Sequence, residues 1–178
     1  MFRATIVLFF LILLLGCHQE PREIKPAGPK SPPPTNKQEE QPNSEFKNLH
    51  YVIYEEGKMK WEIWAEKAKV FKGNQIKMAN IKVCSEPQKG FCISARKASY
   101  QPEAGSFLFQ GQVVLKATGQ GVLKTDRLAY LPKREVLRTE TKVEIDKQGL
   151  IVKGKGFVYD LRSGVMKVLH QTEVRVDG

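Results

Sequence analysis

Side chains able to do chemistry are sparse in this chain, and their spacing argues against catalysis. The three histidines, His18, His50 and His170, stand far apart, and the three cysteines are Cys17, Cys84 and Cys92. A zinc site needs such ligands grouped at short intervals, and a nucleophile needs a base set beside it. The sequence has no Gly-x-Ser-x-Gly elbow, no His-Glu-x-x-His pair and no phosphate-cradling loop. Gly119-Gln120-Gly121 and Gly154-Lys155-Gly156 are rich in glycine, yet neither opens a helical pattern. The reading is a non-enzyme, with no catalytic residues, no cofactor and no metal ligands.

The cysteines instead speak of export. Cys84 and Cys92 flank the turn residues Glu86-Pro87-Gln88-Lys89-Gly90. Cross-strand positions beside a turn come within the ~5.5 Å Cα separation a disulfide needs, so the pair is a disulfide candidate in an oxidising compartment, with two buried free thiols as the alternative. Cys17 closes an apolar run from Ala4 to Leu15 that follows a single charge, Arg3. At ~1.5 Å per residue that run is about 18 Å long, short of a ~30 Å bilayer core. Residues 1–17 therefore read as a signal peptide, and Leu14-Leu15-Gly16-Cys17 resembles a lipobox, which would make Cys17 the lipidated N-terminus. An uncleaved short anchor is the alternative, and both tether the chain to a membrane.

Residues 18–45 hold seven of the ten prolines and no aromatic residue, a composition that reads as a flexible, Pro-rich linker. Its charges are Arg22, Lys25, Lys30 and Lys37 against Glu20, Glu23, Glu39, Glu40 and Glu45, or 4 − 5 = −1. Arg3 adds one positive charge in the signal, so the formal excess of +10 belongs to residues 46–178. An anionic lipid surface or a phosphorylated glycolipid suits an exported basic domain better than nucleic acid does. Lysines that merely solubilise a sheet are the plainer account.

The elements that position everything else come from a repeat. Ile63-Trp64-Ala65-x-x-Ala68, Ile93-Ser94-Ala95-x-x-Ala98, Leu123-Lys124-Thr125-x-x-Leu128 and Val152-Lys153-Gly154-x-x-Phe157 start 30, 30 and 29 residues apart. Val70, Tyr100, Tyr130 and Tyr159 follow them, each leading into a turn signal such as Pro102-Glu103-Ala104-Gly105. The returning segments alternate: Phe107, Phe109, Gly111, Val113 and Leu115, then Leu137, Thr139, Thr141, Val143 and Ile145, then Met166, Val168, His170, Thr172 and Val174. That is the period of a strand with one apolar face. Ile76 and Met78 alternate and Ile81 and Val83 resume on the other parity, which places a bulge near Asn80. Residues 46–178 are thus an all-β domain of about four strand-turn-strand repeats, roughly eight strands sharing one apolar side.

These fragments resemble the OstA-like domains of the lipopolysaccharide export system, and the whole chain is similar to the LptC family, its membrane-attached periplasmic subunits. The resemblance rests on Trp61-x-Ile63-x-Ala65-x-x-Ala68, Ile93-x-Ala95-x-x-Ala98, Phe107-x-Phe109-x-Gly111-x-Val113, Leu123-x-Thr125-x-x-Leu128-x-Tyr130, Arg138-Thr139 with Val143, and Gly154-x-Gly156. It implies a two-sheet, jelly-roll-like fold shaped like a taco, whose interior holds lipopolysaccharide acyl chains. It further implies an inner-membrane LptBFG-type ABC transporter and an LptA-like periplasmic bridge as partners. The location implied is the periplasmic face of a Gram-negative inner membrane, with a lipid anchor at Cys17 where the family often has a spanning helix.

Under that resemblance the groove lining is Ile63, Ala65, Ile76, Met78, Ile93 and Ala95 from the first repeats. Phe107, Phe109, Val113, Leu115, Leu123 and Leu137 continue it, with Val143, Ile145, Val168 and Val174 at the far end and Gly111 as the motif glycine. The small residues Ala65, Ala95, Thr125 and Gly154 favour a groove, because they would leave space in a closed core. An ordinary dry core remains open as an alternative, as does a LolB-like lipoprotein or lipid carrier with lid helices.

Overall fold

Period-two apolar segments separated by turn residues build strands throughout the computed structural model, which describes residues 41–85 and 90–176. The strands are β1 (Ser44–Glu55), β2 (Lys58–Val70), β3 (Ile76–Ser85), β4 (Phe91–Gln101), β5 (Ser106–Ala117), β6 (Gly121–Leu131), β7 (Val136–Lys147), β8 (Leu150–Asp160) and β9 (Val165–Val176). Each pairs antiparallel with the next, giving one nine-stranded sheet in sequence order. Short 3-10 turns at Lys72–Asn74 and Pro132–Arg134 join strands. No α-helix occurs among the described residues, and no helix there is long and apolar enough to cross a membrane. The expected signal at residues 1–17, Cys17 and most of the linker lie outside the described residues.

A flat sheet of this kind would leave its apolar side in water, and the ladder shows how that is avoided. All eight pairings skip at one level. Lys47 pairs with Lys67 and Leu49 with Ala65; Ala79 pairs with Lys97 and Ile81 with Ala95. Gln110 pairs with Arg127 and Val113 with Thr125, and the skip recurs through β9. Asn48, Asn80, Gln112 and Gln171 have positive φ at this level, beside Gly111 at 77°. The skip keeps register in the first three pairings and becomes a register shift, a bulge, in the five from β4 to β9, so the sheet carries a crease across its full width. Side chains tie the crease: Asn80 donates to Glu66 at 2.5 Å, and Arg96 donates to Gln112 at 3.0 Å.

The crease divides the sheet into two leaves. The first contains the starts of the even strands and the ends of the odd ones; the second contains the remaining halves. Phe91 and Tyr100 lie nine residues apart on β4, about 30 Å in a straight strand. Tyr100 pairs with Phe107 and Phe107 with Tyr130, yet the Tyr130 ring centroid is 6.0 Å from that of Phe91. Only folding at the crease brings them together. The architecture is therefore the folded-over, jelly-roll-like fold expected, except that its two layers are halves of one continuous sheet.

The repeat acquires a structural meaning here. The inner row beside the crease runs Ala65, Ile81, Ala95, Val113, Thr125, Val143, Gly154. Even strands place a small side chain and odd strands a branched one, so the row fills the tight inner angle of the fold. A Cβ on Gly154 would stand 2.4 Å from Val168 Cγ1. At Gly154 the missing side chain therefore serves close packing at the bend.

Candidate functional site

Between the leaves lies a continuous apolar layer. Phe109, Phe157, Ile93, Leu115, Leu123, Leu128, Leu137 and Val113 are essentially sealed from solvent, and Ala65, Met78, Ala95 and Val143 are buried with them. Ile63, Ile76, Phe107, Ile145 and Val168 are half-buried and pack against this core. Val174 departs from the lining expected of it: it is 57% exposed. It sits near the end of β9, the last strand of an open sheet, where nothing packs over the alternation.

Polar groups inside are few and satisfied. Thr125 Oγ1 donates to the Lys142 carbonyl at 2.8 Å and lies 2.7 Å from Thr141 Oγ1, which is 2.9 Å from Thr139 Oγ1. No buried side-chain nitrogen or oxygen among the described residues lacks a partner. The interior thus asks nothing polar of an occupant. Burial, and then the charge of Glu135, push the Tyr130 phenol above its ordinary pKa, and burial does the same for Tyr159. Both therefore stay neutral at physiological pH.

The packing is incomplete at the lips opposite the crease. A cavity of about 120 Å³ is lined by Ile53, Trp61, Ile63, Val83, Phe91, Ile93, Phe107, Phe109 and Tyr130. Trp61 and Phe91 come from the first leaf and Phe107 and Tyr130 from the second. Rings meet across the gap, with centroids 5.4 Å apart for Trp61 and Tyr130 and 6.0 Å for Phe91 and Tyr130, while Trp61 packs on Phe91 at 5.7 Å and Phe107 on Tyr130 at 6.3 Å within their own leaves. At ~30 Å³ per water the cavity has room for about four, enough for the tip of a hydrocarbon chain and too little for a whole one. A larger occupant must part the leaves.

Outside this layer the other residues singled out do not converge. Cys84 and Cys92 are directly opposed on β3 and β4 and form a disulfide. It lies on the outward face, while their neighbours Val83, Phe91 and Ile93 point into the cavity. His50 stacks on Trp64 at 5.3 Å and meets Glu62 at 2.9 Å, and His170 is exposed on β9. Among the described residues no three His, Cys, Asp or Glu side chains group as metal ligands. Gly111 lies at the crease, where a Cβ would approach the Arg96 stem at 3.4 Å, so its role is conformational. Sequence reasoning missed Trp61, Phe91 and Tyr130 as lip residues, because ring contacts between leaves leave no spacing signal along the chain.

A family model described as "Lipopolysaccharide-assembly, LptC-related" matches residues 5–177. The chain belongs to this LptC-related family. Membership places it in lipopolysaccharide assembly, a transport and binding task. The LptC-related chain is also similar in structure to LptH of Pseudomonas aeruginosa, described as "the LptA homologous periplasmic component of the conserved lipopolysaccharide transport device". That likeness has 11% identity and a TM-score of 0.32, and covers 78% of this chain and 97% of that one. No curated protein matches the LptC-related chain in sequence.

Proposed function

We propose that this chain is a membrane-tethered periplasmic lipopolysaccharide-binding protein. It receives the glycolipid from an inner-membrane ABC transporter and passes its acyl chains between the leaves to an LptA-like bridge. The observation that carries this is the apolar cavity at the lips, where aromatic rings from opposing leaves meet. Aromatic pairs contribute about 0.5–1.5 kcal/mol each beyond their burial. Parting the two that Tyr130 makes with Trp61 and Phe91 is offset by burying two to four methylenes at ~0.8 kcal/mol each. An acyl chain is thus able to act as the wedge that opens its own site.

The edges support the hand-off. β1 and β9 each pair on one side only, leaving a free edge at either end for strand addition by a partner. The transporter would meet one and the bridge the other, with the acyl chains moving along the row of strands. No residue needs to react, because the motion draws its energy from the transporter.

A second reading, a structural envelope lipoprotein with a dry β core, is favoured by the complete burial of Leu128 and Leu137. Site-specific photocrosslinking in cells separates the two. A photoreactive residue at Phe107 is expected to give a lipopolysaccharide adduct, while one at the outward Lys116 gives none. Absence of the adduct from Phe107 and Trp61, in cells where a known export component is crosslinked, selects the dry core.

A further inference from the structure

The register sorts outward side chains into rows that cross the strands, because directly opposed residues share a face. On the second leaf, the row beside the crease runs Lys47, Lys67, Ala79, Lys97, Gln110, Arg127 over β1 to β6. The next begins Glu45, Lys69, Lys77 and passes through Ser99 and Arg138 to Lys167 on β9. These rows hold four cations each (4 + 4 = 8) against one acid, Glu45, with Glu140 beside them on β7. Glu45 bridges Lys67 at 3.2 Å and Lys69 at 3.6 Å, and Glu140 takes Arg138 at 2.5 Å.

The first leaf is different. Its two outward rows set Lys82, Lys116, Lys124, Lys153 and Arg175 against Glu62, Glu144, Asp146 and Glu173, and Glu144 takes both Lys124 and Lys153. Charge balance there is local and nearly complete. Of the charge these four rows carry, the excess is therefore collected on one outer face.

That face is held against its own repulsion. Lys47 stands directly opposite Lys67, and Lys69 opposite Lys77, an arrangement that destabilises a sheet. Lys97 and Arg127 have no ionic partner among the described residues. From β2 to β9 the second row crosses seven strand spacings of ~4.8 Å, or about 34 Å along the sheet. Cations so spread cannot converge on one phosphate group, whereas a field of anionic headgroups meets them all. The apolar run at residues 4–15 and the short linker keep such a field within reach.

We propose that the outward face of the second leaf docks on an anionic phospholipid surface, through electrostatics and independently of whether the interior takes up lipid. The test uses full-length protein on vesicles of phosphatidylcholine with or without phosphatidylglycerol. A donor fluorophore on a non-natural residue is placed at Ser99 on the second leaf or at Ser94 on the first, with acceptor-labelled headgroups. Energy transfer is expected from Ser99 and not Ser94, only with phosphatidylglycerol, and to fade with salt. Lys97→Gln with Arg127→Gln lowers the docked-to-undocked ratio about 25-fold, at roughly fivefold per cation near an anionic membrane. Lys82→Gln with Lys116→Gln leaves it unchanged. Equal transfer from both faces, indifference to phosphatidylglycerol, or an equal loss in the two double variants overturns the proposal. So does competition by inorganic phosphate at constant ionic strength, which would assign a discrete phosphate site instead.

Discussion

Leu128 and Val174 show why a side chain's type foretells less than its place. Both are branched apolar residues on strands, yet Leu128 is 0% exposed and Val174 57%. Leu128→Ala is expected to cost 2–5 kcal/mol, the range for a large-to-small change in a sealed core. Val174→Ala should stay within about 0.5 kcal/mol, and chemical denaturation of the two variants measures the difference. Gly111 gives a third case. Its φ of 77° disfavours any side chain by roughly 1–2 kcal/mol, so Gly111→Ala should lower the thermal midpoint although it adds only a methyl group. The sequence marks Gly111 as a motif residue; that its backbone rather than its surroundings demands glycine appears only in the structure.

At the scale of elements, most of the strands are legible from apolar alternation, and the exceptions share one cause. The three-residue step from Ala65 to Ala68, repeated at Ala95 to Ala98 and Leu128 after Thr125, is where each even strand changes parity at the crease. A motif read as a family mark is thus a bend written in sequence. The bulge expected near Asn80 is instead a kink at positive φ with the register unbroken; the register shifts that involve β5 and β7 keep parity within those strands and leave no trace. β1 escapes the reading because its apolar residues Phe46, Tyr51 and Tyr54 are exposed and fall outside the repeat. The hairpin of β3 and β4 offers a direct test. Cys84→Ser with Cys92→Ser opens a link across a separation of eight residues, and the loop-entropy model gives a loss of about 2–3 kcal/mol. Melting in the presence and absence of reductant should reproduce that loss in the parent and show none in the double variant.

For the molecule as a whole, pH sets the window in which the leaves stay closed. Tyr130 and Tyr159 have phenols raised above the ordinary value of ~10. Their neutral forms are favoured by folding, so this stabilisation is complete below about pH 10 and is lost as pH climbs through the raised values. On the acid side, lysine partners hold Glu45 and Glu144 below the usual carboxylate range, and hydrogen bonds from Ser163 do so for Asp160. What those exposed groups add is present above the ordinary range and fades as they protonate. Thermal midpoints should be level near neutrality and fall above about pH 10, and Tyr130→Phe with Tyr159→Phe should soften the alkaline fall.

Because every two-strand unit meets its neighbours in the same manner and bends at the same level, the domain has a cross-section that does not depend on how many units it contains. Duplicating one hairpin would extend it by two strand spacings, about 9.6 Å, without disturbing the profile seen end-on. Length is in this sense a free variable of the design, adjustable by tandem copying to whatever span a envelope of given thickness imposes.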